Sequence, residues 1–201
     1  MKAFLRKRLP GLSFIIVIFI LGISFGAVAI RTLDYSYQET IITYFNDFIR
    51  GFEGIEYNSS SLIAESIKYN LINITVIWLF GLSVILMPLI MLLLFFKGFI
   101  LGFTVGFLVS EYGFKGVIIA LVTVFPQNII IIPVYLLASV IAIYFSIRLI
   151  NYYRGRKPIR GEDLFIYTIE MGFAALVLLG ASLIETYLSP FLFRVLLRFM
   201  F

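Results

Sequence analysis

Glu170, Glu185, Lys68, Lys97, Lys115, Gln127 and Asn128 are the side chains in or beside the long apolar runs of this chain that have chemistry to offer. A carboxylate or amide in hydrocarbon is costly unless partnered, so each is a functional candidate by default. The repertoire is narrow. With no cysteine and no histidine, thiolate nucleophiles, imidazole bases, disulfides and ordinary zinc sites are all missing. Serine with lysine is the nucleophile–base pairing that composition leaves open, but Lys68, Lys97 and Lys115 all fall at predicted span ends. There is no HExxH, no phosphate loop and no metal-ligand spacing. The expectation is a non-enzymatic protein with no cofactor and no metal.

What surrounds these residues is apolar. Of 201 residues 62% are hydrophobic and only 13% charged, against about 25% charged in soluble domains. The mean hydropathy is +1.07. Such a chain is expected to be an all-α integral membrane protein, a polytopic helical bundle whose first partner is the lipid bilayer. The net charge of +5 does not point to nucleic acid. Its positive residues sit between apolar runs, where they orient helices across a membrane.

The apolar runs predict five transmembrane helices, over residues 12–30, 71–96, 98–112, 116–147 and 164–188. "KAFLRKR" before the first and "RLINYYRGRKPIRGED" before the last are basic and belong in the cytoplasm. The segment 31–70 carries six acidic and three basic residues and belongs outside. The expected protein is therefore multi-pass in the cell membrane, with a cytoplasmic N-terminus and an outside C-terminus. Within the outer segment, residues 36–52 have capping-box spacing at Ser36 and Glu39. An apolar face follows at Ile41, Tyr44, Phe45, Phe48 and Phe52. They predict an amphipathic helix that lies on the outer membrane surface, as a docking surface, or packs as a lid on its own bundle. After Pro190, "FLFRVLLRFMF" predicts an interfacial helix over 191–201. Pro88 predicts a kink in the second span, and Lys97 marks its expected cytoplasmic end.

Two features stand out within the spans. Gly98, Gly102 and Gly106 are spaced four apart, and Gly22 and Gly26 repeat the spacing in the first span. Such faces let membrane helices approach closely, either within one chain or as a homo-oligomer seam, a dimer being favoured. The second feature is "FPQNIIIIP". The run 116–147 is too long for one untilted crossing and too short for two, so a break or kink is expected near Pro126–Pro133. Gln127 and Asn128 then have two possible duties. One or both amides bond the carbonyls that the break frees, with Glu185 serving separately at the interface. Alternatively, Gln127 reaches Glu185, which requires a tilt, a shallow break or a water between them.

The blocks "NLINITVIWLFGLS", "KGFILGFTVGFL", "FPQNIIIIPVYLLAS" and "LIETYLSPF" together resemble the SpoIIM family, the stage II sporulation protein M group. Asn70 and Asn73, Gly98, Gly102 and Gly106, Pro126 and Pro133, and Glu185 with Pro190 stand at matching places. Lys97 replaces the family's usual asparagine, "PQN" its proline–histidine pair, and Ile132 a common glutamate. The resemblance implies a membrane scaffold like the one that organises peptidoglycan-cleaving partners during engulfment in endospore formers. The alternative reading is an oligomeric small-solute transporter or channel component that uses the broken helix around Pro126, Gln127 and Asn128.

Overall fold

A computed structural model describes residues 2–34, 37, 39–44, 59–156 and 158–200. Six principal helices are formed by the described residues: α1 (Lys2–Thr32), α2 (Ser59–Gly81), α3 (Met87–Tyr112), α4 (Phe114–Thr123), α5 (Phe125–Tyr153) and α6 (Gly161–Met200). Among the described residues, four stretches are long and apolar enough to cross a membrane: Gly11–Thr32, Met87–Tyr112, Phe125–Tyr153 and Gly161–Leu188. Their outer faces are apolar: Phe25, Phe173 and Leu176 are 60%, 69% and 65% exposed. That surface suits lipid and not water. α4 is a shorter apolar helix. α2 lies alongside the long helices, but Glu65, Lys68, Asn70 and Asn73 lower its hydropathy.

The break between the second and third helices falls at residues 82–86, not at Lys97 as expected. Pro88 sits in the first turn of α3, where a missing N–H costs nothing. Nothing interrupts the backbone at Lys97, which is interior to α3. Ending α2 inside the bundle leaves its last four carbonyls without helical donors. All four find partners. The amides of Leu82 and Ser83 donate to Leu79 and Phe80 at 3.1 Å each. The Tyr167 hydroxyl donates to Trp78 and the Ser146 hydroxyl to Gly81, each at 2.8 Å. Lipid offers no donors, so these side chains take water's place.

α3 ends at Gly113, whose φ of +56° is in the left-handed region that favours glycine. The chain folds back there and sets Gly116 against the backbone of Leu108. α4 then packs Ile119 and Ala120 with Phe107, Leu108 and Ile30 in a small second core. The break between α4 and α5 falls at Val124, one residue ahead of the "FPQN" motif. Pro126 is at the start of α5, and Pro133 lies within it.

α6 runs unbroken through Pro190 to Met200, so the separate interfacial helix expected over 191–201 is not present. A proline removes one hydrogen bond without necessarily ending a helix, and here the helix continues. Of the amphipathic segment expected over 36–52, residues 39–44 are helical, and most of the rest lies outside the described residues. At the other end of the bundle Arg148 pairs with Asp163 at 2.8 Å. The Arg160 amide donates to the same carboxylate at 3.2 Å, which anchors the start of α6.

α2 is antiparallel to α6, meeting it from Ser66–Glu185 to Trp78–Tyr167. It is parallel to α5, from Asn70–Tyr135 to Gly81–Ser146. α1 is parallel to α3, backbone against backbone. Gly22 and Gly26 face the carbonyls of Phe95 and Phe99, while Gly98 and Gly102 face those of Phe19 and Ile23. A Cβ on Gly106 would stand 3.0 Å from the Cα of Ala27. The two glycine faces therefore occupy each other within one chain and no longer argue for a dimer. Gly102→Leu is expected to lower stability by roughly 1–3 kcal/mol or more through overpacking, with unchanged mass in detergent. Gly172→Ala meets nothing within 4 Å and is expected to be neutral or stabilising by up to about 1 kcal/mol. Thermal melting with light scattering checks both.

Candidate polar site within the bundle

Four helices bring polar side chains to one place. α2 contributes Ser66, Tyr69 and Asn70; α3 Lys97; α5 Gln127, Asn128 and Tyr135; α6 Ser182 and Glu185. On α2, Ser66 and Asn70 are one turn apart and continue into the buried Ile74 and Ile77. The same face is thus polar at one end and apolar at the other. On α6, Leu178 and Ser182 repeat that spacing, both fully buried.

Asn70 is the hub, only 2% exposed. Its Nδ2 donates to Ser182 Oγ at 2.9 Å, and its Oδ1 accepts from the Tyr135 hydroxyl at 2.9 Å. Ser182 in turn donates to Leu178 O at 3.0 Å. The ring of Tyr135 then meets the Lys97 ammonium, 3.8 Å from its centroid; Tyr69 flanks the same ammonium at 4.9 Å. A cation over two rings in a desolvated site gains roughly 2 kcal/mol or more. The chain Ser182–Asn70–Tyr135–Lys97 thereby ties α6, α2, α5 and α3 together.

Glu185 forms a second junction. Ser66 Oγ donates to its Oε2 at 2.6 Å, and Gln127 Nε2 to its Oε1 at 3.4 Å. The first is a short charge-assisted bond. Asn128 instead turns its Nδ2 to the carbonyl of Val124 at 2.7 Å, at the helix break. The two adjacent amides thus divide the duties: Asn128 serves the broken backbone and Gln127 reaches across to α6. The depth mismatch disappears because α5 begins only at Phe125. Gln127 then lies in the first turn of α5, level with a carboxylate one turn from the end of the apolar stretch of α6.

Lys97, Glu185, Gln127, Asn128, Asn70, Tyr69, Tyr135 and Thr104 line one cavity of about 280 Å³, with apolar walls from Phe19, Leu94, Leu101 and Ile131. Lys97 and Glu185 face the same space without closing an ion pair. Among the described residues, two buried polar atoms lie outside this network without a partner, Trp78 Nε1 and Ser139 Oγ.

Of the residues singled out from the sequence, Asn70, Gln127, Asn128 and Glu185 converge here. Asn73 bonds its own helix at Tyr69 O, 2.7 Å away. Pro126 starts α5 and Pro133 is on its exposed face. The glycines form the α1–α3 seam, and Pro190 lies within α6. Ser66, Tyr69, Tyr135 and Ser182 escaped sequence reasoning, and Lys97 was placed at a span end and not in the interior of a helix. Lys97 carried a readable signal, since "MPLIMLLLFFKGFILGFTVGF" places one charge amid apolar residues on both sides. The others carried none, because serine and tyrosine are common in membrane helices.

An all-helical bundle with a polar cavity between apolar helices defines a multi-pass membrane protein. The chain belongs to the SpoIIM family, Stage II sporulation protein M, whose match spans residues 15–190. No curated protein and no solved structure matches it.

Asn70→Leu is expected to destabilise the protein by roughly 1–3 kcal/mol, because Tyr135 and Ser182 lose their shared partner. A double-mutant cycle with Ser182→Ala is expected to give a coupling of about 0.6–1.7 kcal/mol. Asn128→Leu removes a bond within one helix and is expected to cost less than Asn70→Leu. Chemical unfolding in detergent, with helicity followed by circular dichroism, provides the values.

Proposed function

We propose that the chain is a non-enzymatic assembly protein of the cell membrane. It would cross five times, with α2 as the outer-to-inner return, the N-terminus cytoplasmic and the C-terminus outside. One observation carries this reading. The helix α6 continues past Leu188, the end of its apolar stretch, without a break to Met200. That extension adds roughly 18 Å of helix, directed to the same end of the bundle as the acidic 31–70 segment. A rigid helix rooted in a cross-tied bundle is what a partner outside the membrane needs for docking. Family membership supports the same role, and wall-cleaving enzymes are the partners it suggests. The basic residues before α1 and between α5 and α6 support the orientation.

Affinity purification from gently solubilised host membranes tests the proposal. The intact protein is expected to retain peptidoglycan hydrolases, and removal of 191–201 to release them while the bundle stays folded. Equal recovery with and without the extension defeats the role given to α6. A reporter fused to the C-terminus is expected to be active outside; cytoplasmic activity defeats the orientation. Light scattering of the purified protein tests whether it forms a dimer, which would have to use a face other than the glycine seam.

A second reading has its own supporting observation, the cavity of about 280 Å³ beside the α4–α5 break. Broken helices next to polar cavities are where membrane transporters hold solutes. Solute flux into proteoliposomes, lost in Gln127→Leu, favours a transporter or channel component. Its absence leaves the assembly role.

A further inference from the structure

The Lys97 ammonium lies between two tyrosine rings and donates no hydrogen bond to any described residue. An aromatic face attracts the charge but is a poor acceptor for three N–H donors. Glu185 lies across the same cavity. It accepts one bond from Ser66 and one from Gln127, out of about four lone-pair positions on a carboxylate. The cavity therefore holds one cation short of acceptors and one anion with capacity to spare, set apart from each other.

We propose that this cavity binds a small zwitterion, with its anionic group on Lys97 and its cationic group on Glu185. Charge balance selects that class. Cavity and side chains are neutral together, and a ligand of net charge would add an uncompensated ion to a low-dielectric space. A zwitterion adds none and gives each of the two half-buried charges a counter-ion. The Gln127 amide beside Glu185 and the Tyr135 hydroxyl are the neutral polar groups that fix its orientation. At about 280 Å³ the space is at the lower edge of small-molecule sites, roughly 300–1,000 Å³. A short amino acid fits that scale. The apolar walls at Leu94, Leu101 and Ile131 favour a small aliphatic side chain over a further polar group. The inference rests on the cavity that favours the second reading but requires no transport. Binding is measured without flux, so the two ideas fail separately.

The test uses the full-length protein in detergent and follows thermal melting and heat of binding. Glycine and alanine, then β-alanine, then γ-aminobutyrate give three steps of increasing charge separation. At least one is expected to raise the melting temperature saturably. N-acetylalanine, which lacks the cation, and alanine methyl ester, which lacks the anion, are expected to bind at least about tenfold more weakly than alanine if alanine binds. For a longer best ligand, the same two modifications of that ligand apply. Lys97→Met and Glu185→Gln are each expected to weaken binding by a similar factor. Where either variant fails to fold, the charge-deleted ligands decide the matter on the unaltered protein. No saturable response across the series overturns the proposal. So does equal binding of a charge-deleted analogue, which would mean that the site reads only one charge.

Discussion

Backbone carbonyls in hydrocarbon have no water to turn to, and this requirement shapes the bundle. α2 stops at Gly81, well inside the packed helices, because the Tyr167 and Ser146 hydroxyls are there to receive its last turn. Both side chains are buried, on α6 and α5 respectively. The three helices are therefore fixed at one end by hydroxyl-to-carbonyl bonds. At the other end they are fixed by Asn70 and Glu185. Between these two belts the packing is apolar: Ile77, Ile90, Leu94 and Leu178 are almost completely buried. Phe145 stacks on Tyr167 with centroids 4.3 Å apart. Without the belts, packing alone would hold helices that lipid solvates equally well.

Lys97 shows the same logic applied to charge. A long flexible side chain near a membrane surface snorkels to water. This one instead turns inward to the Tyr135 ring, which Asn70 holds in place through the tyrosine hydroxyl. Asn70 is held by Ser182. The position of the ammonium thus depends on a residue on α6 that it never touches. Buried polar networks of this sort behave as units, so single substitutions overstate each member's share.

Much of the fold was legible because composition and charge are coarse signals. The apolar runs gave the helical membrane class, and the small-residue spacing gave a close seam. The break expected near Pro126–Pro133 falls two residues before that stretch, at Val124. The boundaries that failed share a cause. A lysine between apolar runs usually marks a span end and a proline usually a kink, so Lys97 and Pro88 mislead. In the fold each takes the less costly alternative: the proline is used to begin a helix, and the lysine is housed between rings. Pro190 likewise suggests an end, yet α6 passes through it. At the site, Glu185 and Gln127 were visible as polar residues in apolar surroundings. Their meeting depended on α5 beginning at Phe125 beside this end of α6, a tertiary arrangement with no local sequence signature.

The parallel seam between α1 and α3 has a consequence for biosynthesis. α1 emerges first, with its glycine face turned to a partner that lies beyond the whole of α2 and both connections. A glycine face gains little from lipid, so α1 inserts as a span whose close contact does not yet exist. The pairing is non-local and closes late, a pattern associated with slow assembly. During that interval any small-residue face in the membrane is a competitor. The first helix of this protein is therefore the part most exposed to mispairing, and it becomes committed only when Gly102 arrives.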